Sequence, residues 1–142
     1  MRTLILSCNA GAGHNSCAKA LQETFTAHGE VCDIIDALQF ISKRASQFIS
    51  NWHTRIYLYA PKLFKAGYQG AENHDSLFRE GTGIYKFLTS GADRIYDYIV
   101  EGEYDNIICT HVFPALAISE MQERHPSIRI TTRPVHELKN RY

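Results

Sequence analysis

Residues 3–21 read TLILSCNAGAGHNSCAKAL, and this stretch decides the fold. Thr3–Ser7 is a short, continuous apolar run, the pattern of a strand covered on both faces. Cys8–His14 is made of small residues with Gly11 and Gly13 among them, which marks a turn. Asn15 or Ser16 offers a side-chain oxygen to cap a helix, along which Ala18, Leu21 and Phe25 recur at helical spacing. Gly29 suits the position just past that helix, and Val31–Ile35 (VCDII) forms a second strand. Strand, turn, helix and strand within about thirty residues predict a right-handed crossover and a parallel sheet.

The far end repeats the pattern. Asn106–Thr110 (NIICT) is a strand, His111–Phe113 a short loop, and Pro114 stands in the first turn of a helix that continues through PALAISEMQERH. Ile128–Thr132 (IRITT) is a final strand. Between the two ends, Ile84, Leu88, Ile95 and Ile99 keep helical spacing over Ile84–Val100, with Ser90–Gly91 as a break. The fold class is therefore α/β, a Rossmann-like parallel sheet flanked by helices over residues 1–132, with a polar tail at 133–142.

The 142 residues suffice for one domain with a core, and 15 basic side chains balance 15 acidic ones. That balance argues against a bulk nucleic-acid binder. No run of 18 apolar residues is present, so no spanning helix is expected. The first apolar run is too short for a signal peptide, which predicts a cytoplasmic protein. Cys8, Cys17, Cys32 and Cys109 form no Cys-x-x-Cys pair, which argues against zinc. Cys32 and Cys109 read as core thiols, while Cys8 lies near the loop, where a thiol could be reactive.

The neutral total hides a local bias. Ala37–Ala71 contains no Asp or Glu, yet holds Lys43, Arg44, Arg55, Lys62 and Lys65. It also holds Phe40, Phe48, Trp52, Tyr57, Tyr59, Phe64 and Tyr68. Basic residues interleaved with aromatics suit the headgroup boundary of an anionic membrane. The same spacing equally suits an amphipathic helix packed on the sheet.

Gly11–Ser16 (GAGHNS) follows a strand and opens a helix, where backbone N–H groups favour an anion. The pattern is close to G-x-G-x-x-G with Ser16 for the third glycine, and Asp36 ends the second strand near the place of a ribose-binding acid. This supports one reading, a non-catalytic phosphate- or nucleotide-binding module. His14 supports another. An imidazole at a helix N-terminus feels the positive end of the dipole, which favours the neutral form that a general base requires. A surface histidine bonded to its own loop is the plainer alternative. His111 directly follows a strand, so parallel strands put it on the same sheet edge as His14, facing a ligand or bracing its loop. Two histidines without a third ligand predict no metal site.

Four segments, GAGHNSCAKAL, VCDIIDALQFIS, YAPKLF and YDNIICTHVFPALAISEM, together resemble the N-terminal domain of the monogalactosyldiacylglycerol synthase and processive diacylglycerol glucosyltransferase family. These are family 28 glycosyltransferases of GT-B fold, and the resemblance runs from about residue 3 to residue 132. It implies that this domain binds a diacylglycerol acceptor and the cytoplasmic face of the membrane. A C-terminal domain would bind a UDP-sugar, and inverting transfer would proceed without a sugar–enzyme intermediate. It puts His14 in the place of the base that deprotonates the acceptor hydroxyl. Gly11, Gly13, Asn15, His111 and Phe113 would line the acceptor site. Lys43, Arg44, Trp52, Arg55, Lys62, Phe64 and Lys65 would meet the membrane. Beyond RITT the sequence departs from the family's usual continuation, so residues 133–142 are expected to mark a truncation or the end of a fragment that lacks the donor domain. The resemblance therefore implies no cofactor for this chain, a UDP-sugar only with a donor domain, and no turnover alone unless a second chain supplies that domain.

Overall fold

The computed structural model describes residues 1–8, 12–42, 44 and 80–134. Its elements are β1 (Arg2–Ser7), α1 (Ala12–Ala27), β2 (Val31–Asp36), a 3-10 turn (Ala37–Phe40), α2 (Gly83–Thr89), α3 (Ala92–Glu101), β3 (Asn106–Cys109), α4 (Val112–Arg124) and β4 (Thr131–Pro134). The four strands pair in parallel in the order β2-β1-β3-β4. Leu6 of β1 lies between Ile35 of β2 and Cys109 of β3. The chain thus leaves β1 to one side for β2 and returns to the other side for β3. The order reverses between β1 and β3, which makes their carboxyl ends the topological switch point.

The two-residue period of β1 sorts its side chains between two layers. Leu4 and Leu6 face α3 and α4, packing with Ile95, Ile99, Ile118 and Met121. Ile5 faces the other way, with Ala18 and Phe25 of α1 and Cys32. Burial on both faces explains the unbroken apolar run, each aliphatic side chain contributing roughly 1.5–3 kcal/mol. A third cluster, Cys8, Leu38 and Leu88 with Phe113 and Leu116 against it, lies beyond the end of β1.

Two glycines fix the connections. Gly29 has φ +76°, and the N–H groups of Gly29 and Glu30 donate to the carbonyls of Thr26 and Phe25, closing α1 as a Schellman motif. Gly91 stands between α2 and α3, and the position requires glycine because a Cβ there would stand 2.9 Å from the carbonyl carbon of Phe40. The break expected at Ser90–Gly91 is thus a close approach to the 3-10 turn.

Two expected element boundaries are corrected. The helix after β1 starts at Ala12, so Gly13 and His14 lie in its first turn and Asn15 is not its cap. The last strand is Thr131–Pro134, three residues later than the apolar pattern suggests; Ile128 and Ile130 pack on the core from irregular chain. Ala37, Leu38 and Phe40, at the start of the acid-free segment, are core residues. Cys8 is fully buried, which removes it as an exposed thiol. Arg44 is exposed, while Lys43, Trp52, Arg55, Lys62, Phe64 and Lys65 lie outside the described residues.

Candidate functional site

The switch point brings the two histidines together. α1 leaves the carboxyl end of β1 and carries His14 in its first turn, while His111 caps α4 just past β3. Because β1 and β3 are neighbours, the rings meet edge to face, with centroids 4.5 Å apart.

Their hydrogen bonds fix different tautomers. Nδ1 of His14 lies 2.7 Å from the main-chain carbonyl of Thr110. A carbonyl only accepts, so Nδ1 carries the proton and the neutral ring keeps its lone pair on Nε2. Nδ1 of His111 accepts the N–H of Phe113 at 3.1 Å, so its neutral ring carries the proton on Nε2. The pair therefore sets an imidazole acceptor beside an imidazole donor, the complement of a hydroxyl group.

Backbone and buried side chains hold this pair. The Thr110 N–H donates to the carbonyl of Leu6 at 3.1 Å, which extends the β1–β3 ladder and steadies the carbonyl that His14 uses. Phe113 packs against His111 at 4.4 Å and rests on the Cys8–Leu38–Leu88 cluster. Ser7, almost wholly buried, donates through Oγ to Oδ1 of Asn15 at 2.7 Å. The Thr110 hydroxyl is buried with no hydrogen-bond partner among the described residues. Burial pushes the thiol of Cys109, at the end of β3, up to about 12, so it stays protonated and non-nucleophilic at neutral pH.

Of the residues expected from sequence, His14, Asn15, His111 and Phe113 gather at this edge, and Gly13 is exposed in the same helical turn. Gly11 lies outside the described residues. Asp36 stands at the end of β2, but its carboxylate accepts the Leu38 N–H at 3.0 Å and so caps the 3-10 turn. Sequence reasoning missed Ser7 and Thr110. The alternation of β1 places Ser7 under α1 and was a usable signal; the Thr110 carbonyl left none, since every residue carries one. Among the described residues, no group of three His, Cys, Asp or Glu side chains could hold a metal ion.

The parallel sheet with its flanking helices is a Rossmann-like α/β domain, and the histidine pair lies at the carboxyl edge, where such folds generally bind their ligands. Residues 14–135 match the family model of monogalactosyldiacylglycerol (MGDG) synthase, and the chain belongs to that family. It is accordingly a domain of the glycolipid glycosyltransferase class, with a lipid as the acceptor the family implies. No curated protein and no solved structure gives a significant match to the chain. Among the described residues, no helix is long and apolar enough to cross a membrane.

Proposed function

We propose that this chain is the acceptor-binding domain of a glycosyltransferase that moves a hexose from a UDP-sugar to diacylglycerol. The observation that carries the reading is the meeting of His14 and His111 at the β1–β3 switch point, with the His14 lone pair directed to Nε2 by the Thr110 carbonyl. The acceptor hydroxyl gives its proton to Nε2 of His14 while its oxygen forms the new bond to the anomeric carbon. The bond from that carbon to the diphosphate breaks in the same step, and UDP leaves with the electron pair. His111, Asn15 and Phe113 bind the acceptor, with Gly13 and Gly11 giving it room at the helix start.

The donor binds on a second domain, so turnover requires that domain in the same chain or in a partner. The histidine pair favours this reading over a phosphate or nucleotide cradle, which needs no proton acceptor. In a complete transferase carrying this domain, His14→Ala lowers transfer about 10²–10⁴-fold. Wild-type turnover in that variant removes the base assignment.

The membrane role rests on the charge pattern of Lys43, Arg44, Trp52, Arg55, Lys62, Phe64 and Lys65, basic and aromatic residues suited to the cytoplasmic membrane face. The 142-residue chain is expected to bind vesicles containing anionic lipid and to leave them as salt is raised. Absence of binding at low salt removes that part.

A further inference from the structure

We propose that Ser7 is a positioning residue for the His14 base: its hydroxyl, through Asn15, ties the first turn of α1 to β1 while the Thr110 carbonyl ties the same turn to β3. The inference rests on the role of His14 proposed above.

That turn has little intrinsic reason to be rigid. It contains Gly13, whose missing side chain would meet nothing within 4 Å, and it carries no acidic residue to complement the helix dipole. Glycine inside a helix favours fraying relative to alanine, and helix starts are already short of backbone partners. Ala12, Gly13, Asn15 and Ser16 are exposed, so little packing holds the turn beyond the His14 ring against His111.

Two side-chain hydrogen bonds supply the missing constraint, each 2.7 Å long. One is Ser7 Oγ to Asn15 Oδ1, and the other is His14 Nδ1 to the Thr110 carbonyl. They reach adjacent strands from adjacent residues of one helical turn. Ser7 is the β1 anchor because strand alternation points it, like Ile5, toward α1, and because it is 2% exposed it is fixed in place. Removing the Ser7 hydroxyl takes from Asn15 its tie to β1, which loosens the turn and lengthens the His14–Thr110 bond, so the imidazole is no longer confined to the tautomer whose Nε2 accepts a proton. A base displaced by about an ångström can cost up to about a hundredfold in rate.

The test reads the tautomer directly in the 142-residue chain. Long-range proton–nitrogen NMR spectra with labelled histidine, assigned through His14→Gln, report which nitrogen of His14 is protonated. The wild-type chain should show Nδ1–H alone in the neutral ring. Ser7→Ala and Asn15→Ala should each move both ring nitrogens toward averaged values. Asn15→Asp keeps an acceptor for the Ser7 hydroxyl and should keep the wild-type tautomer. In a complete transferase Ser7→Ala should lower kcat about tenfold with KM within about twofold, and adding it to Asn15→Ala should lower kcat no further than Asn15→Ala alone.

The proposal is overturned if a folded Ser7→Ala keeps the wild-type tautomer, if Asn15→Ala keeps it, or if Asn15→Asp loses it as fully as Asn15→Ala. If Ser7→Ala does not fold, the two Asn15 variants decide. Normal transfer by His14→Ala overturns the base reading while leaving the tautomer result, so the two failures are distinguishable.

Discussion

Two of the chain's histidine clusters show how the same side chain acquires different chemistry. His14, at the carboxyl edge of the sheet, is half-buried and bonded to a neutral main-chain carbonyl. His125 ends α4; its Nε2 lies 3.1 Å from Asp93 and its ring stacks on Tyr96 at 3.8 Å. The carbonyl orients His14 and leaves the lone pair of its neutral ring on Nε2, the atom proposed to take the acceptor's proton. The carboxylate ties His125 into a network in which Arg124 also reaches Asp93 and Glu120, and Tyr85 donates to Glu120. That network joins α2, α3 and α4 across the surface. The nature of the partner, more than the presence of histidine, separates a chemical site from a brace.

The largest test of this contrast is functional. His14→Ala in a complete transferase should cost about 10²–10⁴ in rate, whereas His125→Ala should leave transfer within about twofold of wild type. Comparable losses at both positions would erase the distinction.

A middle-sized effect is expected where α3, which carries Asp93, begins. Gly91→Ala forces a Cβ against the Phe40 backbone and should destabilise the chain by about 1–3 kcal/mol, measured by urea unfolding. The His14 tautomer should survive, because the β1–β3 edge does not depend on that contact.

The smallest effect concerns the brace itself. The hydrogen bond from His125, followed by that from Arg124, holds the Asp93 carboxyl below the ordinary carboxylate range. The Tyr85 hydroxyl and then Arg124 lower Glu120 in the same direction. For carboxyls depressed in the folded state, the stabilisation is present above their unfolded values and is lost as pH falls through the folded ones. Acid unfolding below about pH 4 should therefore be slightly less steep in Asp93→Asn, while stability near pH 7 changes little because the pair is exposed. Identical acid profiles would show that the network contributes nothing.

The elements were legible where the signal is local. TLILS and NIIC are strands covered on both faces, VCDII is a half-buried edge strand, and the Ser90–Gly91 break and Gly29 stop stand where the residues announce them. The last strand was misplaced for a physical reason. Ile128 and Ile130 do bury apolar surface, but ladder pairing begins only where the chain reaches β3, at Thr131 opposite Asn106. The start of α1 was placed too late because Gly13 weakens helical propensity, a local preference overridden by the ties to Ser7 and Thr110. For the site, residue type exposed His14 and His111, but their partnership needed strand order.

By itself the sequence determined the parallel α/β class, the two histidines that follow strands, and the family resemblance, because periodicity, turn chemistry and motifs are written in neighbouring residues. Only the tertiary structure decided that β1 and β3 lie side by side. With that decision came the 4.5 Å meeting of the rings and the choice of tautomer. Strand order is a competition among distant segments, and the Thr110 carbonyl that settles the chemistry of His14 is a backbone group common to every residue.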